Sequence, residues 1–143
     1  MEINEDLVSL RLAKLAKDKG FNIPTVKAYS EKGEMVTSED WNYSCEGGMS
    51  YENWFYDYNT YGYEEFIYSA PTLASLQKWL RVTFKLHIEI LLTDEIPYNK
   101  FYFRVMKIGQ YFTLSYTEDL LDTPEKALDT ALIYALENYT EKK

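Results

Sequence analysis

The stretch from Leu73 to Leu92 changes its hydrophobic period in mid-course, and nothing else in the chain constrains the fold as much. Leu73, Leu76, Leu80 and Phe84 recur at helical spacing with Trp79 beside them, so the spacing predicts an amphipathic helix over about 73–85, opened by Pro71-Thr72. Directly after it, Leu86-His-Ile-Glu-Ile-Leu-Leu92 alternates. Leu86, Ile88, Ile90 and Leu92 face one way and His87, Glu89 and Leu91 the other, the pattern of a half-buried strand. Two further strands, Phe101 to Ile108 and Tyr111 to Tyr116, flank Gly109-Gln110, which reads as a glycine-first two-residue hairpin loop. That loop sets Ile108 opposite Tyr111, Met106 opposite Thr113 and Arg104 opposite Ser115 on the more polar face, together with Tyr102. Val105 then meets Leu114, and Phe103 meets Tyr116, on the core face.

Both ends of the chain read as helices. Thr123 is an N-cap with Pro124 at the first helical position and Glu125 after it; Leu128, Ala131, Leu132, Ala135, Leu136 and Tyr139 form the stripe to be buried. At the other end Asn4 is an N-cap followed by Glu5 and Asp6. Val8, Leu12, Leu15 and Ala16 then predict a helix from about 5 to 19, stopped by Gly20 with Phe21 as its apolar contact. Residues 25–30 and 34–37 flank Glu31-Lys32-Gly33 as a small hairpin. The sequence therefore describes an α+β chain: helix and hairpin, a tyrosine-rich irregular block, a helix, a three-stranded antiparallel meander and a closing helix, with helices covering one sheet face. Its 143 residues fit a single domain spanning 1–143.

The irregular block, Trp41 to Tyr68, holds seven of the fourteen tyrosines, two of the three tryptophans and the only cysteine. No lysine or arginine lies between Lys32 and Lys78, while Glu34, Glu39, Asp40, Glu46, Glu52, Asp57, Glu64 and Glu65 do. These eight carboxylates account for the whole formal charge of −8, since acids and bases balance elsewhere. That charge argues against direct binding to DNA or to anionic membranes. The lone Cys45 excludes an internal disulfide, and the start MEINEDLV has neither the basic nor the apolar region of a secretory signal. With no apolar run approaching a membrane span, the expected setting is a reducing cytoplasm.

No motif here specifies an enzyme, a cofactor or a metal. His87 is the only histidine; sharing a strand face with Glu89 makes it a formal general-base candidate for a small hydrolase, but two polar residues on the solvated side of a strand are the simpler explanation of the pair. Asp57-Tyr-Asn59-Thr-Tyr61-Gly62 imitates the start of a calcium loop, yet has tyrosine at its fifth position and Tyr68 where a bidentate glutamate is needed. Gly47-Gly48 lacks the lysine of a phosphate loop. Cys45 has no neighbouring cation in sequence to activate it. Two binding surfaces remain. One is aromatic and acidic: Trp54, Phe55, Tyr56, Tyr58, Tyr61 and Tyr63, a composition suited to a basic protein partner, or else a lid whose rings close over the sheet. The other is basic: Lys78, Arg81 and Lys85 on the second helix, joined by Arg104 on the sheet, suited to a nucleotide or small anionic ligand, or else simply the solvated side of a helix.

The segment Ser69-Ala-Pro-Thr-Leu-Ala-Ser-Leu-Gln-Lys-Trp-Leu-Arg81, followed by Leu86-His-Ile88, resembles a family of small uncharacterised proteins of Bacteroidetes and their phages and mobile elements. Leu12-Ala-Lys-Leu-Ala-Lys-Asp-Lys-Gly-Phe21 agrees with the start of that family, and Pro124-Glu-Lys-Ala-Leu128 with Ala131-Leu-Ile-Tyr-Ala-Leu136 agrees with its closing helix. The resemblance covers nearly the whole chain outside 41–66 and implies a bacterial or phage cytoplasmic setting, without any functional residues to carry over. The expectation is a non-enzymatic accessory protein that engages a host protein through its acidic aromatic surface.

Overall fold

The computed structural model describes residues 6–37, 55–62, 65–93, 100–110, 113–116 and 120–140. The fold is α+β, and its elements run α1 (Leu10–Asp18), β1 (Lys27–Ser30), β2 (Met35–Thr37), α2 (Tyr58–Tyr61), β3 (Phe66–Ser69), α3 (Leu73–Phe84), β4 (Leu86–Leu92), β5 (Phe101–Lys107), β6 (Thr113–Tyr116) and α4 (Pro124–Tyr139). They gather into two compact units, an amino-terminal one of Leu7–Pro71 and a carboxy-terminal one that runs from Thr72 and includes Asp6.

In the amino-terminal unit a sheet of order β2-β1-β3, antiparallel throughout, packs beneath α1. The hairpin expected around Gly33 forms, with Ala28 opposite Val36 and Gly33 in a left-handed conformation at φ 88°. Ala28, Ser30 and Ser69 supply the buried strand positions, so the bulk of the core comes from Leu12, Ala13 and Ala16 of α1 and from Val8, Phe21 and Tyr58. The buried serines are satisfied: Ser30 Oγ accepts from the Lys32 and Glu34 amides, as burial of a hydroxyl requires. The first helix starts later than its composition predicts. Ser9, not Asn4, is the N-cap, its hydroxyl accepting from the Leu12 amide at 3.3 Å. The reason lies outside the helix: the Val8 amide donates to the Pro71 carbonyl at 3.0 Å, which spends it on an extended segment. Asn4 itself lies outside the described residues.

In the carboxy-terminal unit the meander β4-β5-β6 presents Leu86, Ile88, Phe103 and Val105 as its buried positions. Helix α3 begins on Thr72, whose hydroxyl accepts from the Ser75 amide, and α4 on Thr123, whose hydroxyl accepts from the Lys126 amide, both at 3.1 Å. The α4 stripe is centred one residue earlier than the spacing implied: Ala127 is buried and Leu128 only half-buried, with Ala131, Leu132, Ala135 and Leu136 completing the contact. The hairpin differs more. Met106 does pair with Thr113, but Val105 pairs with Ser115 and Arg104 with Tyr116, because a bulge makes Leu114 an extra residue on β6. The pairings of Arg104 with Ser115, Val105 with Leu114 and Phe103 with Tyr116 are therefore not formed. The turn is closed by the Gln110 amide on the Lys107 carbonyl, so Ile108 and Gly109 occupy its centre, with Gly109 at φ 92°.

Candidate functional site

The described part of the aromatic block is built on a short paired segment. Thr25 and Tyr56 exchange both backbone hydrogen bonds at 2.9 Å, which anchors the block to the chain leading into β1. Asp57 then caps the single turn α2 by accepting from the Thr60 amide at 3.1 Å, and Gly62 ends it at φ 62°. The Tyr56 hydroxyl donates to the Gly62 carbonyl at 3.0 Å, closing the turn on itself. Asn59 locks it to the sheet: its amide donates to Ser69 Oγ, its Oδ1 accepts from the Ser69 amide, and its Nδ2 donates to the Phe21 carbonyl. The residues that imitated a calcium loop, Asp57, Asn59 and Gly62, are thus occupied as cap, lock and stop. Among the described residues no cluster of histidine, cysteine or carboxylate side chains is placed to hold a metal ion.

This framework sorts the six aromatic candidates. Tyr58 is 1 % exposed and belongs to the core, which corrects its place on the surface; the three Asn59 bonds hold the turn inward and carry its neighbour inside. Phe55 and Tyr61 are 60 % and 73 % exposed. Half-buried Tyr56 joins the two environments, meeting Tyr58 edge-on at 4.9 Å between ring centroids and Tyr61 at 6.3 Å. Trp54 and Tyr63 lie outside the described residues, as do Cys45 and Gly47-Gly48. Residues 55–62 are therefore neither wholly lid nor wholly interface: Tyr58 is held in the core while Phe55 and Tyr61 are presented.

The basic candidates do not converge. Lys78 and Lys85 are exposed and Arg81 half-buried along α3, but Arg104 is engaged elsewhere: its guanidinium donates to Glu89 Oε2 at 2.7 Å across the β4–β5 ladder. Strand alternation also puts Arg104 and Lys107 on opposite sheet faces, and it is Lys107 that reaches α3, its Nζ donating to the Phe84 carbonyl at 2.9 Å. Arg104 therefore leaves the proposed basic set. The same ion pair removes Glu89 as the partner that would orient His87, which stands opposite Met106.

A second charged cluster was not singled out from the sequence. Lys14 and Lys17, one turn apart on α1, both stand over the Tyr68 ring, at 5.5 and 5.1 Å from its centroid. Lys14 also pairs with Glu31 at 2.9 Å, and the Tyr68 hydroxyl donates to the other Glu31 oxygen. Tyr68 and then Lys14 hold the Glu31 carboxyl below the usual carboxylate range, while the same bond to Glu31 pushes the Tyr68 hydroxyl up. These contacts tie α1, the hairpin turn and β3 together, so the cluster reads as a latch between them.

Comparison with protein-family models, curated proteins and solved structures finds no match to this chain. No helix among the described residues is long and apolar enough to cross a membrane.

Proposed function

We propose that this protein is a non-enzymatic binding module that docks a basic protein partner on the surface presented by Phe55, Tyr56 and Tyr61. One observation carries the reading: two large aromatic side chains stand exposed on a turn whose backbone is held by capping, pairing and side-chain bonds. Exposed rings on a pre-organised frame lose little conformational entropy when covered, which is what makes aromatic residues effective anchors. Asp57 and Glu65 beside them, in a stretch without lysine or arginine, give the surroundings the sign that suits a basic partner. A host protein engaged in the cytoplasm by a phage or mobile-element accessory protein is the setting that the family resemblance adds to this proposal.

The test is affinity capture from bacterial lysate with the wild-type chain and with a Phe55→Ser, Tyr61→Ser double variant. Both positions are exposed, so the variant should keep its stability to within about 0.5 kcal/mol. Loss of a specific basic protein in the variant is the expected result; identical retention by the two chains would overturn the proposal.

A further inference from the structure

The carboxy-terminal unit ends both of its long helices beside one cleft. Thr83, Phe84 and Lys85 at the close of α3 line a cleft of about 400 Å³, together with Asn138, Tyr139 and Thr140 at the close of α4 and Lys107 of β5. Helix carboxy termini expose carbonyls and carry roughly half a negative charge each. Part of that demand is met internally: Lys107 Nζ donates to the Phe84 carbonyl, and the Thr140 hydroxyl donates to the Leu136 carbonyl.

Lys85 is the unusual member. Its backbone is left-handed, at φ 59° and ψ 33°, and it is the only non-glycine residue with positive φ among the described residues. The other four such positions, Gly20, Gly33, Gly62 and Gly109, are glycine. A side chain in this conformation costs on the order of 1 kcal/mol relative to glycine, and here the side chain carried at that cost is a charged one. The ammonium projects from an exposed residue at the cleft.

We propose that this cleft binds a compact organic anion bearing a single carboxylate, held by the ammonium groups of Lys85 and Lys107, with the Phe84 ring as an apolar wall. Lys107 already answers the α3 end through the Phe84 carbonyl, so Lys85 is the main charge left for a ligand, which suits a singly charged one better than a polyphosphate. The volume lies toward the small end of the roughly 300–1,000 Å³ range of ligand pockets, which suits a compact molecule. Phe84 is braced edge-on by Trp79, with ring centroids 5.3 Å apart, so the wall is fixed. All the lining residues belong to the carboxy-terminal unit, and none is shared with the aromatic surface.

Titration of the full chain with benzoate, with neutral benzyl alcohol and with inorganic phosphate, followed by calorimetry and by amide chemical shifts, tests the proposal. Benzoate should bind in the millimolar range, shift the amides around Lys85 and Lys107, and weaken as salt is raised. Lys85→Gly and Lys107→Gln should each reduce its affinity roughly tenfold. Because Lys85→Gly relieves the backbone, its melting temperature should rise, which separates lost binding from lost folding. Equal benzoate affinity in Lys85→Gly and wild type would overturn the proposal. So would an equal response to benzyl alcohol, a response to phosphate alone, or no response to benzoate at all.

Discussion

Helices α1 and α3 solve the same problem in different ways. Each must turn the chain through a left-handed residue at its carboxy end. At α1 that residue is Gly20, at φ 94°, and the ending is local: the Phe21 amide returns to the Ala16 carbonyl and the Gly20 amide to the Lys17 carbonyl, both at 3.0 Å. At α3 the residue is Lys85, with a single bond from its amide to the Arg81 carbonyl at 3.1 Å. Two further carbonyls are taken by distant residues, Phe84 by the Lys107 side chain and Lys85 by the Ile108 amide at 2.7 Å. A helix that ends by its own residues needs glycine. One that ends against a neighbouring strand tolerates a lysine, and so brings a charged group to the edge of a cleft.

The two helix endings should respond most strongly at the buried residues that follow each turn. Phe21→Ala should cost about 3–5 kcal/mol and Leu86→Ala about 2–5 kcal/mol in urea denaturation, since both side chains are buried. Two small losses would mean that the turns, not these anchors, hold the helix ends. The turns themselves should respond with opposite signs. Gly20→Ala places a Cβ that meets no atom within 4 Å, so its expected loss of about 1–2 kcal/mol is purely conformational. Lys85→Gly should instead stabilise by about 1 kcal/mol, raising the melting temperature by about 2–4 °C. Destabilisation by Lys85→Gly would show that its side chain supports the fold, and the contrast would collapse.

The smallest effect concerns acid, and it distinguishes α1 through its latch. Glu31 has a depressed folded pKa, so its contribution is present above the unfolded carboxylate value of about 4.3 and is lost as pH falls through the folded value. Denaturant midpoints measured from pH 6 down to pH 2 should therefore fall less steeply in Glu31→Gln than in wild type. Parallel slopes would show that the latch carries no pH-dependent stability. Since Glu31 is exposed, the difference should be modest.

Features governed by neighbours within a few residues were legible in the sequence. Thr72 and Thr123 cap where their hydroxyls and the following apolar periods indicate, Gly20 and Phe21 close α1, and Gly33 turns the first hairpin. The candidate site was legible in kind, not in detail: the exposed Phe55 and Tyr61 were named, but so was Tyr58, whose burial depends on Asn59 reaching Phe21 and Ser69. Asp57 and Gly62 did carry a signal, since a capping residue five positions before a glycine also describes one helical turn.

By itself, the amino-acid order determined the types of the longer elements, the end of α1, the starts of α3 and α4 and the concentration of negative charge in one lysine- and arginine-free stretch, because propensity, capping and periodicity act over a turn or two of chain. Tertiary structure decided the late start of α1 at Ser9, the extra Leu114 in β6, the withdrawal of Tyr58 into the core and the meeting of Lys85 with Lys107 in place of Arg104. Each of these rests on partners well separated in sequence. A backbone amide spent on Pro71, a strand taking one more residue than its neighbour, or a side chain crossing to another element reverses a local preference worth only about 1 kcal/mol.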